Sequence, residues 1–101
     1  MIVEWRALAR EDRSNLFDFI AADNPAAALE LDDRIERLTD ALLEHPELYR
    51  AGRVRGTREM VLTPNYLLVY RVRKKAGVVE IVRILGTRQS YPKGPSGVRG
   101  D

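Results

Sequence analysis

The run Tyr66-Leu67-Leu68-Val69-Tyr70-Arg71-Val72, a turn from Arg73 to Gly77, and then Val78-Val79-Glu80-Ile81-Val82-Arg83-Ile84-Leu85 decide the fold. Both runs are rich in β-branched and aromatic residues, and the short polar turn joins them as an antiparallel pair. Upstream, Arg58 to Leu62 reads as a further strand, set off by the turn Thr63-Pro64-Asn65. Three successive strands with short turns predict an antiparallel meander. Ile2-Val3-Glu4-Trp5 is a short β-prone run expected to join the same sheet.

Between that first run and the meander the hydrophobic period changes. Leu16, Phe19 and Ile20 fall at i, i+3, i+4 opposite Arg10, Glu11, Asp12, Arg13 and Asp18, which predicts an amphipathic helix. Phe17 and Phe19 cannot share one helix face, so one of the two is free for a partner. Asn24-Pro25 supplies an N-cap and a proline for the first helical position of a second helix. Leu31, Ile35, Leu38 and Leu42 form its apolar stripe, and His45-Pro46 ends it after Glu44. The short connection predicts a helical hairpin, and a hairpin packed on a sheet is an α+β architecture. Trp5, Tyr66 and Tyr70 are expected in the core or on a sheet face. From Lys93 the chain turns rich in Gly, Pro and Ser. The expected organisation is one domain over residues 1–92 with a flexible tail over 93–101.

Charge divides along the same line. Residues 1–49 hold 12 acids against 5 Arg, a balance of −7, whereas residues 50–101 hold 12 Lys and Arg against 3 acids, a balance of +9. Fourteen of the 17 basic residues are Arg, whose planar bidentate head group suits phosphate better than solubility alone requires. The chain has no cysteine and one histidine, His45, so a disulfide framework, a thiolate zinc site and a histidine metal centre are not expected, nor is any cofactor. No apolar run is long enough to span a bilayer, and the early charges of the N-terminus do not read as a signal peptide, so the expected location is the cytoplasm.

Cleavage of RNA without a metal needs a base for the 2′-OH, cations for the charged phosphorane and an acid for the leaving oxygen. The sequence offers Arg58 and Arg88 as cations, each in a Gly-Thr-Arg at a strand boundary, and Tyr91 as acid, base or stacking ring. The two arginines lie at opposite ends of the meander and meet only if twist and loops bring them to one concave face. Arg58 has a plainer reading as an ion-pair partner of Glu59 or Glu80, Arg88 as a cap of the sheet, and Tyr91 as a packing anchor. Arg53, Arg55, Arg71, Arg73 and Arg83 are candidate nucleic-acid contacts.

The order Arg55-Gly56-Thr57-Arg58, Tyr66 through Tyr70-Arg71-Val72, Val79-Glu80-Ile81-Val82-Arg83-Ile84-Leu85 and Arg88-Gln89-Ser90-Tyr91 resembles the RelE/ParE toxins of bacterial type II toxin–antitoxin modules. The resemblance implies two N-terminal helices on a curved antiparallel sheet, and a tightly bound cognate antitoxin covering the basic face. It implies either of two activities. RelE-like toxins cleave mRNA on the ribosome, using basic residues on the sheet and a C-terminal aromatic. ParE-like toxins poison DNA gyrase and are not nucleases. Carried onto this chain, Arg58 and Arg88 match basic positions of the nucleases, and Tyr91 lies near their C-terminal tyrosine. Leu67 stands where those nucleases carry an arginine, Met60 where a second lysine is expected and Gly86 where similar sequences have a histidine. The expectation is a metal-independent, ribosome-associated mRNA endoribonuclease, with the gyrase poison as the alternative.

Overall fold

A computed structural model of the protein describes residues 1–88. Strand β1 (Ile2–Trp5) leads into helices α1 (Ala7–Ala21) and α2 (Pro25–Ala41). Strands β2 (Arg50–Ala51), β3 (Arg58–Thr63), β4 (Tyr66–Arg73) and β5 (Val78–Gly86) follow. They form one five-stranded sheet in the order β1-β5-β4-β3-β2. The helical hairpin and the α+β class agree with the sequence reading, and the meander β3-β4-β5 is antiparallel.

The sheet as a whole is mixed rather than antiparallel. β1 pairs with β5 in parallel, with Ile2 opposite Val78 and Trp5 opposite Ile81. Backbone bonds from Ile2 N–H to the Gly77 carbonyl (2.9 Å) and from Arg6 N–H to the Ile81 carbonyl (3.0 Å) extend this ladder at both ends. The partner of β1 lies more than seventy residues along the chain, too far for any local pattern to set its direction. β2 was not legible either: the Tyr49–Gly56 segment reads as a loop, and a two-residue strand has no period to detect.

The start of α2 forms as its residues dictate. The Asn24 side chain accepts the Ala27 N–H at 3.1 Å, and Pro25 takes the first helical position, where its missing N–H costs nothing. The helix ends at Ala41, three residues short of the sequence expectation, in successive turns through Glu44. Its buried face carries Ile35 and, just beyond its end, Leu42. In α1 the buried residues are Ala9 and Leu16. Phe19, placed by its spacing in the apolar stripe, is 70% exposed, and is therefore the phenylalanine left free.

A β-bulge lets β5 serve two cores. Val69 pairs with Arg83, yet the next residue, Tyr70, pairs with Ile81, so Val82 is the extra residue. Side chains alternate along a strand, and one inserted residue exchanges the faces beyond it. Val79 and Ile81 before the bulge, and Ile84 after it, consequently all face the helices. There they join Leu16, Ile35, Met60, Leu62, Leu68 and Tyr70. On the outward face Leu67, Val69 and Leu85 form a second buried cluster with Val82 against it. Trp5, Tyr66 and Tyr70 all belong to the helix-side core, as their types suggested.

Leu68 is fully buried at the centre of the helix-side core. Leu68→Ala is expected to cost about 2–5 kcal/mol of stability in urea unfolding, through lost burial and a residual cavity. Phe19→Ala should change stability by less than about 1 kcal/mol in the same measurement, because an exposed side chain has little packing to lose.

Candidate functional site

The outward sheet face carries two buried acids in otherwise apolar strands. The Glu59 and Glu80 side chains are only 3% and 6% exposed. An ionised carboxylate removed from water must be paired and hydrogen-bonded, and arginines supply the partners. Glu80 accepts from Arg71 Nε at 2.7 Å and from an Arg6 Nη at 3.4 Å, with an Arg73 Nη at 3.8 Å. Glu59 accepts the Arg53 backbone N–H at 3.0 Å and lies 3.4 Å from an Arg50 Nη and 3.5 Å from Arg53 Nε. Burial pushes the Glu80 carboxyl up, but the Arg71 hydrogen bond and the fields of Arg71, Arg6 and Arg73 outweigh it and hold the group below its ordinary range.

Arg58 sits elsewhere. It shares the helix-side parity of Met60 and Leu62, and its Nη1 donates to the Tyr49 carbonyl at 2.7 Å and to the Glu47 carbonyl at 3.2 Å. It forms an ion pair with neither Glu59 nor Glu80. Arg58 thus pins the segment that follows α2 to the start of β3. Beside it the Tyr70 hydroxyl donates to the Pro46 carbonyl at 2.8 Å, and its ring meets Tyr49 edge-on at 6.5 Å between centroids. Burial raises the Tyr70 phenol above its usual value, which disfavours it as a base.

Arg58 and Arg88 are not brought together. Arg58 pairs with Tyr70, which pairs with Ile81, whereas Gly86, two residues before Arg88, pairs with Tyr66 at the other end of the sheet. That puts Gly86 about 13 Å from Arg58 along the strands and about 10 Å across them, from strand rise and spacing, with Arg88 two residues further on. Arg88 is exposed, next to the Pro64-Asn65 turn, to which Thr87 is hydrogen-bonded. Tyr91 lies outside the described residues. Of the candidate nucleic-acid contacts, Arg53 is bound to Glu59, Arg71 and Arg73 to Glu80, and Arg83 to Asp12 on α1 at 2.8 and 3.1 Å. Arg55 is exposed in the β2–β3 loop. The same Asp12 accepts the Ile84 N–H at 2.9 Å, closing the length of β5 edge that β1 is too short to cover.

Sequence reasoning missed Glu59, Glu80, Arg6 and Arg50 as members of this surface. The available signal was one acid in each of two apolar strands, since a strand buries such a residue only where cations meet it.

A second feature lies along the free edge of β1. A groove of about 670 Å³ runs between this strand and the helices, lined by Ile2, Val3, Trp5, Arg10, Arg13 and Phe17 among others. Arg13 stacks on the Trp5 ring at 4.9 Å and is held by Asp32 and Glu36. Among the described residues there is no cluster of three metal-ligating side chains, and no helix long and apolar enough to cross a membrane.

The model of the ParE toxin family of type II toxin–antitoxin systems matches residues 3–91. The chain belongs to that family. Among curated relatives it is 36% identical over 94 residues to the "Putative toxin Y4kP" of Sinorhizobium fredii, covering 90% of this chain and 93% of that one. Among solved structures the chain is similar to one from the chromosomal ParDE system of P. aeruginosa (TM-score 0.73, 22% identity, 85% of this chain and 95% of that one). It also resembles the YoeB/ParE toxin of Agrobacterium tumefaciens (TM-score 0.62, 16% identity, 85% and 98%). A third similar chain comes from the RelBE2 toxin–antitoxin complex of Mycobacterium tuberculosis (TM-score 0.58, 20% identity, 87% and 92%). This ParE-family protein is therefore a type II toxin by family, and its fold is shared by both named branches.

Two measurements check the roles assigned here. Arg58→Ala should lower stability by about 1–3 kcal/mol, because two backbone carbonyls lose their donor, while Arg88→Ala should leave it nearly unchanged in the same unfolding assay. Glu80 binds its proton less readily folded than unfolded, so the stability it contributes is present above its ordinary value of 4.5 and is lost as the pH falls through its depressed folded value. Glu80→Gln should therefore flatten the acid limb of a stability–pH curve.

Proposed function

We propose that this ParE-family toxin acts by binding, as a poison of DNA gyrase, and not by cutting mRNA. The observation that carries the reading is the dispersal of the cations. Metal-free cleavage needs base, acid and cations around one phosphate. Here Arg58 is committed to two carbonyls on the helix side, and Arg88 lies at the far end of the sheet. The outward position of Leu67 lies in an apolar cluster with Val69 and Leu85. Met60 is buried in the opposite core. An electrostatic clamp for a phosphorane does not assemble from these groups.

An antitoxin neutralises the toxin in this reading, and the groove beside β1 is its seat. A free strand edge offers unpaired backbone groups to an extended segment, and the adjoining groove offers Trp5 and Phe17 to its side chains.

Expression without antitoxin should induce the SOS response, and purified toxin should block supercoiling by gyrase. Codon-positioned cuts during in-vitro translation, with supercoiling intact, would overturn the reading. Trp5 is the chain's one tryptophan, so its emission reports on the groove directly. Titration with a tryptophan-free antitoxin should shift that emission to shorter wavelength as Trp5 loses water; an unchanged spectrum on a formed complex would place the antitoxin elsewhere.

A further inference from the structure

We propose that the outward sheet face binds the phosphate backbone of duplex DNA through Arg6, Arg71 and Arg73, organised by Glu80, with Arg50 and Arg53 on Glu59 as a second contact. This deepens the gyrase reading by adding a direct nucleic-acid contact, and it is tested without gyrase, so that the two stand or fall separately.

The number of cations around each acid is the first argument. One carboxylate needs one guanidinium for neutrality, yet three converge on Glu80, from the β1–α1 junction and from both outward positions at the end of β4. Each reaches Glu80 through one nitrogen, and a guanidinium carries five N–H donors, so most of the donors remain for another acceptor. The three side chains are 40–56% exposed while the acid beneath them is buried. A buried hub with exposed cations is a preorganised anion surface, because the arginines have already lost much of the rotamer freedom that binding would remove. Glu4, exposed on β1 opposite Glu80, offsets one surplus charge, and exposed Lys75 in the β4–β5 turn restores it. The first turn of α1, which begins after Arg6, holds no acid and no side-chain cap, so its positive end adds to the field.

The second hub repeats the arrangement. Arg50 and Arg53 share Glu59, with Arg55 in the same loop. Glu59 pairs with Val69 and Glu80 with Arg71, so the hubs are two strands and two residues apart. That is roughly 12 Å, from a strand spacing of ~4.8 Å and a rise of ~3.3 Å per residue. The ~12 Å width of the major groove is comparable, so each hub can address two neighbouring phosphates on one side of it.

What the face lacks selects the ligand. Single-stranded nucleic acid is held largely by stacking on aromatic rings. Among the described residues Trp5, Tyr49, Tyr66 and Tyr70 all pack in the helix-side core, and Phe17 and Phe19 lie on α1. Protein partners are gripped by clustered apolar anchors, and among the outward residues of β1, β3, β4 and β5 the exposed large hydrophobics are Ile2 and Val61, set apart on strands β1 and β3 with β5 and β4 between them. Charge on a surface with few, separated apolar anchors fits the regular phosphates of a duplex.

The test is fluorescence anisotropy of a labelled 20-base-pair DNA with the purified full-length chain, at 50 to 200 mM salt. With about four phosphates contacted, the slope of log K against log salt should be about −3.6, a loss of about a hundredfold across that range. The pair Arg71→Ala, Arg73→Ala should weaken binding at least tenfold and reduce the slope by about 2. Glu80→Gln gives the sharper result. It adds a positive charge, so attraction by net charge alone would tighten binding, whereas loss of the hub should weaken it severalfold. Thermal unfolding of each variant checks the fold, and the arginine pair decides the matter if Glu80→Gln does not fold. No duplex binding, insensitivity to the arginine pair, tighter binding by folded Glu80→Gln, or equal competition by a polyglutamate peptide would each overturn the proposal.

Discussion

The burial of Glu80 sets terms that much of the sheet obeys. A carboxylate with 6% of its side chain in water is stable only while its charge is met, and the groups that meet it come from β4 and from the link between β1 and α1. The acid therefore joins three separate segments of chain at one point on the outward face. A hydrophobic residue there would have extended the Leu67, Val69, Leu85 cluster and left the arginines as loose surface charge. With an acid there, part of the positive charge is fixed in place and part is neutralised. The positive charge of the second half is thus positioned by that half's own acids, and Arg6 from the first half joins it on Glu80.

That positioning separates what the sequence made legible from what it concealed. The helical hairpin was legible because its signals are local: Asn24 and Pro25 at the start of α2, and Leu31, Ile35, Leu38 and Leu42 at helical spacing. The meander was legible for the same reason, with β-branched runs between polar turns. The parallel pairing of β1 was not, since its partner Val78 is distant in the chain. Nor was the bulge at Val82, because Glu80 and Arg83 are too few polar residues among the apolar ones of Val78–Leu85 to set an alternation that an extra residue would visibly interrupt. The arginine partners were least legible. An arginine's type states that it is charged, but which carboxylate or carbonyl it meets depends on register. Arg58 illustrates the point, facing the helices because it shares the parity of Met60.

The family resemblance and the geometry bear on different questions. Family membership establishes a type II toxin, and the similar solved structures, all below 25% identity, establish the fold. In this chain the outward side of β4 is apolar at Leu67 and Val69 and cationic only at Arg71 and Arg73. On the outward face of the described residues, the cations on Glu80 gather at one end of β4.

The parallel seam between β1 and β5 also governs how the protein is made. The sheet's first strand in chain order pairs with its last, so Ile2 finds its neighbour only once Val78 has been synthesised. Until then the helical hairpin has no complete floor to pack on, because α1 rests on β5 as well as on α2. Long-range closure of this kind is entropically late in folding. At chain elongation of ~5–20 residues per second, several seconds pass in which the nascent toxin has helices but no finished sheet. A toxin assembled in this order completes its sheet only after β5 has been synthesised.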